Sequence, residues 1–166
     1  HTYLAGPQRE AALKQVLRYV DRQHGDWSAI QQAEVDVSLV KPDYIIEGKV
    51  DLIRGEGDTV EIVDFKAERK PDMEKMRDRL ERYRRQLHIY AHLVEERTGR
   101  KVSKMHLYYT GEDGGVPTIT YPYMKEQTIT EENVNRWFAS NYVSLTKTEH
   151  TYLAGPQREA ALKQVL

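Results

Sequence analysis

The sequence predicts an α/β domain: a central mixed β-sheet flanked by helices. Three features of the 166-residue chain carry that expectation. Residues 7–23 place Leu13, Val16, Leu17 and Val20 at helical spacing, three alternating apolar segments follow within 33–67, and a long amphipathic segment then parts these from two further strand-like runs.

The first helix begins after Gly6 and Pro7, where proline's preset φ suits an N-terminus and its missing N–H is one the first turn leaves unbonded anyway. "AEVDVSLV" (33–40) alternates as a half-buried strand does. "YIIEGKVDLI" (44–53) and "TVEIVDFKA" (59–67) continue it, separated by Pro42 and by the hairpin-type linker "RGEGD", so the three make a meander. In "PDMEKMRDRLERYRRQLHIYAHLVEERTG", Pro71 and Asp72 start a helix and Gly99 ends it. Met73, Met76, Leu80, Tyr83, Leu87, Tyr90 and Val94 form its apolar stripe. Strands are expected again at 104–110 and 117–123, and a last helix at 130–143 with Thr130 as N-cap.

Composition narrows the function classes. A hydrophobic content of 39% fits a globular chain, and a net charge of −1 excludes a uniformly basic nucleic-acid coat, so affinity for a polyanion requires a local patch. With no cysteine there is no disulfide, no thiolate zinc site and no iron–sulfur cluster. No stretch approaches 18 apolar residues and no signal peptide opens the chain, so the expectation is a soluble, cytoplasmic protein without a membrane partner.

Residues 1–17, "HTYLAGPQREAALKQVL", recur letter for letter as 150–166. Solenoid repeats recur several times and diverge, so this exact pair points instead to a duplication, a circular permutation or a numbering that joins separate pieces. The expected organisation is one domain over 1–149 followed by the copy at 150–166, and the absence of an initial Met suggests a domain cut from something longer.

The chemistry concentrates in "EGKVDLIRGEGDTVEIVDFKAERK", residues 47–70. Residues two apart on a strand share a face, so Asp64 and Lys66 project together while Val63 and Phe65 pack behind the sheet. Asp51, on the preceding strand, reaches the same face. Two close carboxylates raise each other's pKa unless a cation lies between them, and hard oxygen ligands suit Mg²⁺ or Mn²⁺. Such a cation lowers the pKa of bound water, and a neighbouring lysine orients that water or steadies charge in the transition state, which is chemistry for hydrolysing a phosphodiester. The plain alternative is a surface ion pair on an edge strand.

The order "GKVDLI", "EIVDFKA" and then a helix bearing "YRRQLHIYA" resembles the PD-(D/E)XK nuclease superfamily, in particular its RecB-like branch of helicase-associated and CRISPR-adaptation nucleases, over about residues 6–110. The resemblance implies a restriction-endonuclease-like core. It implies Asp51 and Asp64 as metal-binding carboxylates, the Phe65 carbonyl as a further ligand, Lys66 as the catalytic lysine, and Gln86 with Tyr90 as its helix-borne partners, one turn apart. Tyr83 lies one turn earlier; as plain structure, all these tyrosines are simply the core stripe. The branch usually adds a His about four residues after a Gly on the first helix. Glu10 stands at that distance from Gly6 and is the candidate replacement, with Glu159 its copy and His24 a fallback; as plain structure, Glu10 is a solvated first-turn residue.

Between Lys75 and Arg85 the long helix carries Lys75, Arg77, Arg79, Arg82, Arg84 and Arg85 against Asp78 and Glu81, a local charge of plus four. Lys75, Arg79, Arg82 and Arg85 are the candidates for neutralising DNA phosphates. Ion pairs of Asp78 with Arg82 and Glu81 with Arg85 are the structural alternative. Trp27, Trp137 and Tyr108 are candidates for stacking on unpaired bases, against the commoner role of core aromatics. The function expected is a metal-dependent DNA nuclease acting on single strands or free ends, a domain of a larger repair, recombination or helicase–nuclease protein with a helicase domain or partner. The alternatives are a non-cleaving DNA-binding module of the same fold, and an RNA nuclease or nucleotide phosphohydrolase.

Overall fold

The computed structural model describes residues 6–40, 45–55 and 57–124. In chain order these form α1 (Gly6–Arg22), β1 (Ile30–Val40), β2 (Ile45–Arg54), β3 (Thr59–Lys66), α2 (Arg77–Thr98), β4 (Lys101–Tyr109) and β5 (Thr118–Pro122). The strands lie in the order β1-β2-β3-β4-β5. β3 and β4 run parallel because α2 carries the chain back between them; the other neighbours are antiparallel. The expected α/β fold, a mixed sheet with flanking helices, is what the chain adopts. The expected helix at 130–143 and the copy at 150–166, with Glu159 and Trp137, lie outside the described residues. No helix among the described residues is long and apolar enough to cross a membrane.

The main core lies between the sheet and α2, where Ile46, Val50, Val60, Ile62, Leu87, Leu93, Val94, Met105, Leu107 and Tyr109 are buried. A smaller cluster of Leu52, Val63 and Tyr108, joined by Tyr19, Ile30 and Phe65, lies on the other face under α1. β3 alternates between them: Val60 and Ile62 face α2, Val63 and Phe65 face α1. Asp64 and Lys66 therefore point to the α2 side, as period-two reading requires.

Two elements depart from expectation. The apolar stripe of α1 does not meet the core: Leu13, Val16 and Leu17 are 54%, 57% and 52% exposed, and no residue of the helix is buried. The opposite edge docks, through Tyr19 edge-on to Phe65 and Tyr108 with both centroid distances 5.1 Å, and through Arg18 donating to the Thr110 carbonyl. The long helix starts at Arg77 and not at Pro71. Asp72 accepts the N–H groups of Glu74 and Lys75 at 3.0 and 3.2 Å, so its side chain closes a separate turn before the helix, and Met73 is left exposed. Gly99 ends α2 at φ 68° with its N–H on the Glu95 carbonyl, as expected of a C-terminal glycine.

Candidate active site

β2 and β3 pair over only three positions, Leu52 with Val63, Ile53 with Ile62 and Arg54 with Glu61. Beyond Leu52 and Val63 the strands part, and that is where Asp51 and Asp64 stand. The side chain of Asp51 replaces the lost ladder bond: its Oδ2 accepts the Phe65 N–H at 2.7 Å. Regularity fails here on β2 as well, since Val50 belongs to the α2-side core, Leu52 to the α1-side cluster and Ile53 to the α2-side core again. Opposite Asp51, Glu34 takes φ 54°, a left-handed conformation uncommon for a residue with a side chain, in a gap in the β1–β2 pairing. A hollow of about 430 Å³, lined by Tyr19, Ile30, Ala33, Glu34, Asp51, Leu52 and Phe65, opens on the α1 side of this irregularity.

On the α2 side, Lys66 Nζ lies 2.6 Å from Asp64 Oδ2, with the two side chains only 18% and 14% exposed. Burial pushes the Asp64 carboxyl above its ordinary range; the adjacent Lys66 ammonium opposes this, and repulsion from Asp51 adds to it. The ammonium also rests over the Tyr83 ring, 4.1 Å from its centroid. Gln86 Nε2 donates to Tyr90 Oη at 2.9 Å, a bond the one-turn spacing makes possible. Burial raises the Tyr90 hydroxyl's pKa; the Gln86 bond opposes the rise, and Asp64, Lys66 and Asp51 all lie close enough to bear on the phenol. Gly48 permits this placement, for a Cβ there would overlap the Tyr90 ring.

Asp51, Asp64, Lys66, Gln86 and Tyr90 are thus brought together at the parted ends of β2 and β3. Glu10 is not among them: it is exposed on α1 and pairs with Lys14 at 3.1 Å. No group of three or more His, Cys, Asp or Glu side chains gathers among the described residues. Asp51 and Asp64 lie close enough for the charge of one to bear on the other. His24, at φ 51° in the turn after α1, is exposed.

The cationic stripe divides. Arg79 is half-exposed and already partnered, donating to Tyr83 Oη at 3.0 Å and to Glu68 Oε1 at 2.5 Å. Lys75 precedes the helix and lies 3.7 Å from Asp72 at the surface. Arg82 and Arg85 are exposed, and the ion pair Glu81 makes is with Arg84, not Arg85. Neither alternative pairing, Asp78–Arg82 or Glu81–Arg85, forms among the described residues. Arg82 lies one turn before Gln86 and borders the site. Tyr108 is buried in the α1-side cluster, which is its structural role, whereas Trp27 is 40% exposed beside Tyr19.

Sequence reasoning missed the contact of Tyr83 with Lys66, the Arg79–Glu68 pair and the close approach at Gly48. The only signals were the row Tyr83, Gln86, Tyr90 at spacings of three and four, and a glycine three residues before Asp51.

A sequence profile of the PD-(D/E)XK nuclease superfamily matches residues 1–161. Among curated relatives, the chain is 40% identical over 65 residues to an ATP-dependent helicase/nuclease subunit of Carboxydothermus hydrogenoformans, covering 39% of this chain and 6% of that one. It is 35% identical over 83 residues to the ATP-dependent helicase/nuclease subunit of the same type in Pelotomaculum thermopropionicum, covering 48% and 6%. The match therefore spans a small part of those proteins' length. A solved structure described as "Putative exonuclease" from Eubacterium rectale superposes with TM-score 0.45 at 16% identity, covering 89% of this chain and 55% of that one.

Proposed function

Because the chain belongs to the PD-(D/E)XK nuclease superfamily, we propose that it is a metal-dependent deoxyribonuclease domain, hydrolysing DNA phosphodiesters at single strands or free ends. The observation that carries the reading is the convergence of Asp51, Asp64, Lys66, Gln86 and Tyr90 where β2 and β3 part. Asp51, Asp64 and the Phe65 carbonyl would hold Mg²⁺ or Mn²⁺. A cation bound there supplies Lewis acidity and a water of lowered pKa.

The remaining work falls to the chain's own residues. Asp64 and Tyr83 hold Lys66 by one carboxylate and one ring face, which leaves ammonium donors for an attacking water or a phosphate oxygen. Gln86 fixes the Tyr90 hydroxyl, and that pair bounds the phosphate's side of the site. The exposed Arg82 and Arg85 attract the backbone without reading sequence. The likeness to helicase/nuclease proteins supports work beside a helicase domain or partner.

A second reading has one specific observation in its favour: Glu10 is engaged with Lys14, and no third acidic or histidine ligand joins the aspartates among the described residues. It is a DNA-binding module that does not cut.

The two separate on cleavage of end-labelled single- and double-stranded DNA, with an RNA control, under Mn²⁺, Mg²⁺ or EDTA. The nuclease reading expects metal-dependent cutting of DNA that falls by at least about a hundredfold in Asp64→Ala and Lys66→Ala, the scale of losing electrostatic stabilisation of the transition state. Salt-sensitive binding with no cutting by the wild type would establish the module instead.

A further inference from the structure

We propose that Tyr83 is a positioning residue for Lys66: its ring is the seat on which the lysine ammonium rests, and Arg79 and Glu68 hold that seat in place. The inference rests on the nuclease reading for its consequence in catalysis, but not for its geometry.

Lysine is a flexible four-carbon stem, and aiming its ammonium costs rotamer entropy unless the surroundings restrict it. Here two groups restrict it. Asp64 Oδ2 lies 2.6 Å from Nζ, and the Tyr83 centroid lies 4.1 Å from the same atom. A cation held by Asp51 and Asp64 would compete for the Asp64 carboxylate and repel the ammonium. The attraction of the ring face survives that competition, because the aromatic quadrupole is no ligand for a hard divalent ion.

The ring is itself fixed from behind. Tyr83 Oη accepts from Arg79 Nε at 3.0 Å, the Arg79 guanidinium lies 5.4 Å from the same ring, and Arg79 donates onward to Glu68 at 2.5 Å. Glu68 is anchored through its backbone: its carbonyl accepts the Gly111 N–H at 3.0 Å, and a Cβ at Gly111 would collide with that carbonyl group. The Lys66 carbonyl accepts the Thr110 N–H at 2.9 Å. Lys66, Tyr83, Arg79 and Glu68 thus form a closed ring of contacts tying the end of β3 to the first turns of α2, with the end of β4 as its brace. Arg79, cationic and near the site, serves this seat and not the phosphates.

The test combines a spectroscopic readout with kinetics on Tyr83→Leu, Tyr83→Phe and Arg79→Gln. In the wild type, assigned with Lys66→Arg, the Lys66 Cε protons should resonate upfield of the other lysines because of the ring current. They should return to the common position in Tyr83→Leu and stay upfield in Tyr83→Phe. On DNA, Tyr83→Leu should lower kcat about tenfold with KM unchanged. Tyr83→Phe, which keeps the ring but loses the bond from Arg79, and Arg79→Gln should each lose clearly less rate than Tyr83→Leu, with the salt dependence of DNA binding unaltered in Arg79→Gln.

Wild-type Lys66 protons at the common position would overturn the proposal, as would equal loss of rate in the Leu and Phe variants. So would a shallower salt dependence in Arg79→Gln, the mark of a phosphate contact. If Tyr83→Leu fails to fold, the wild-type and Tyr83→Phe spectra still decide. A wild type that does not cut would sink the nuclease reading while leaving the seat to be judged by the ring-current shift.

Discussion

At the scale of single residues, the site depends on where a strand stops being a strand. Asp51 stands just past the last paired position of β2 and gives its carboxylate to the Phe65 N–H, so the backbone donor freed by the parting strands is satisfied by a side chain. Gly48 is the less visible half of this design, because the Tyr90 ring occupies the space a Cβ would take. Gly48→Ala should displace the ring and disturb its bond with Gln86. We expect a stability loss of about 1–3 kcal/mol, the usual range for overpacking, read by thermal unfolding. A cleavage rate reduced beyond what the unfolded fraction explains should accompany it. Wild-type rate in a folded Gly48→Ala protein would mean that the Tyr90 position does not matter.

At the scale of elements, strand positions were legible because alternation is a local property: the expected 33–40, 44–53, 59–67, 104–110 and 117–123 differ from the observed strands by a few residues at their ends. Which face of α1 docks was not legible. Its apolar stripe promised burial, yet docking is done by Tyr19, Gln15 and Arg18, whose partners Phe65, Tyr108 and Thr110 are distant in sequence. The late start of α2 was hidden for a related reason, since Asp72 serves a helix N-cap and a separate turn equally well.

A polar cluster across β3, β4 and β5 was also invisible. Buried His106 meets Glu61 at 3.0 Å through Nε2 and Thr120 at 2.9 Å through Nδ1. Burial lowers the His106 pKa, outweighing the opposing bond to Glu61, and burial likewise lowers that of His88. In the unfolded chain both return to about 6.5. Their contribution to stability is therefore fully present above that value. As pH falls through it the unfolded chain takes up protons first, and the contribution declines until the lowered folded values are reached. We expect the unfolding temperature to drop between pH 7.5 and 5.5, with a shallower drop in His106→Gln. Identical slopes in the two proteins would contradict the assignment.

At the scale of the whole molecule, the three motifs that suggested the superfamily are 13 and 20 or more residues apart in sequence and meet in space through one meander and one crossover. That Asp64 and Lys66 share a face was legible from the strand period, whereas Asp51 sits where that period breaks on β2, and Gln86 with Tyr90 rested on the resemblance of "QLHIY" and its one-turn spacing. Glu10 rested on its distance from a glycine and not on a periodicity, and the structure gives it a surface partner in Lys14. The partners of Arg79, Tyr83 and Glu68, were not legible because charge alone does not say what a guanidinium will meet.

If the parted ends of β2 and β3 hold a cation for phosphodiester hydrolysis, as proposed, both Asp51 and Asp64 take part in binding it. Calorimetric titration of Mn²⁺ into the wild type, Asp51→Asn and Asp64→Asn tests this most directly. Saturable binding to the wild type is expected, weakened by about tenfold or more in each variant because each removes one of the two carboxylates proposed as ligands. Undiminished binding in both variants would place the metal elsewhere and contradict the proposal.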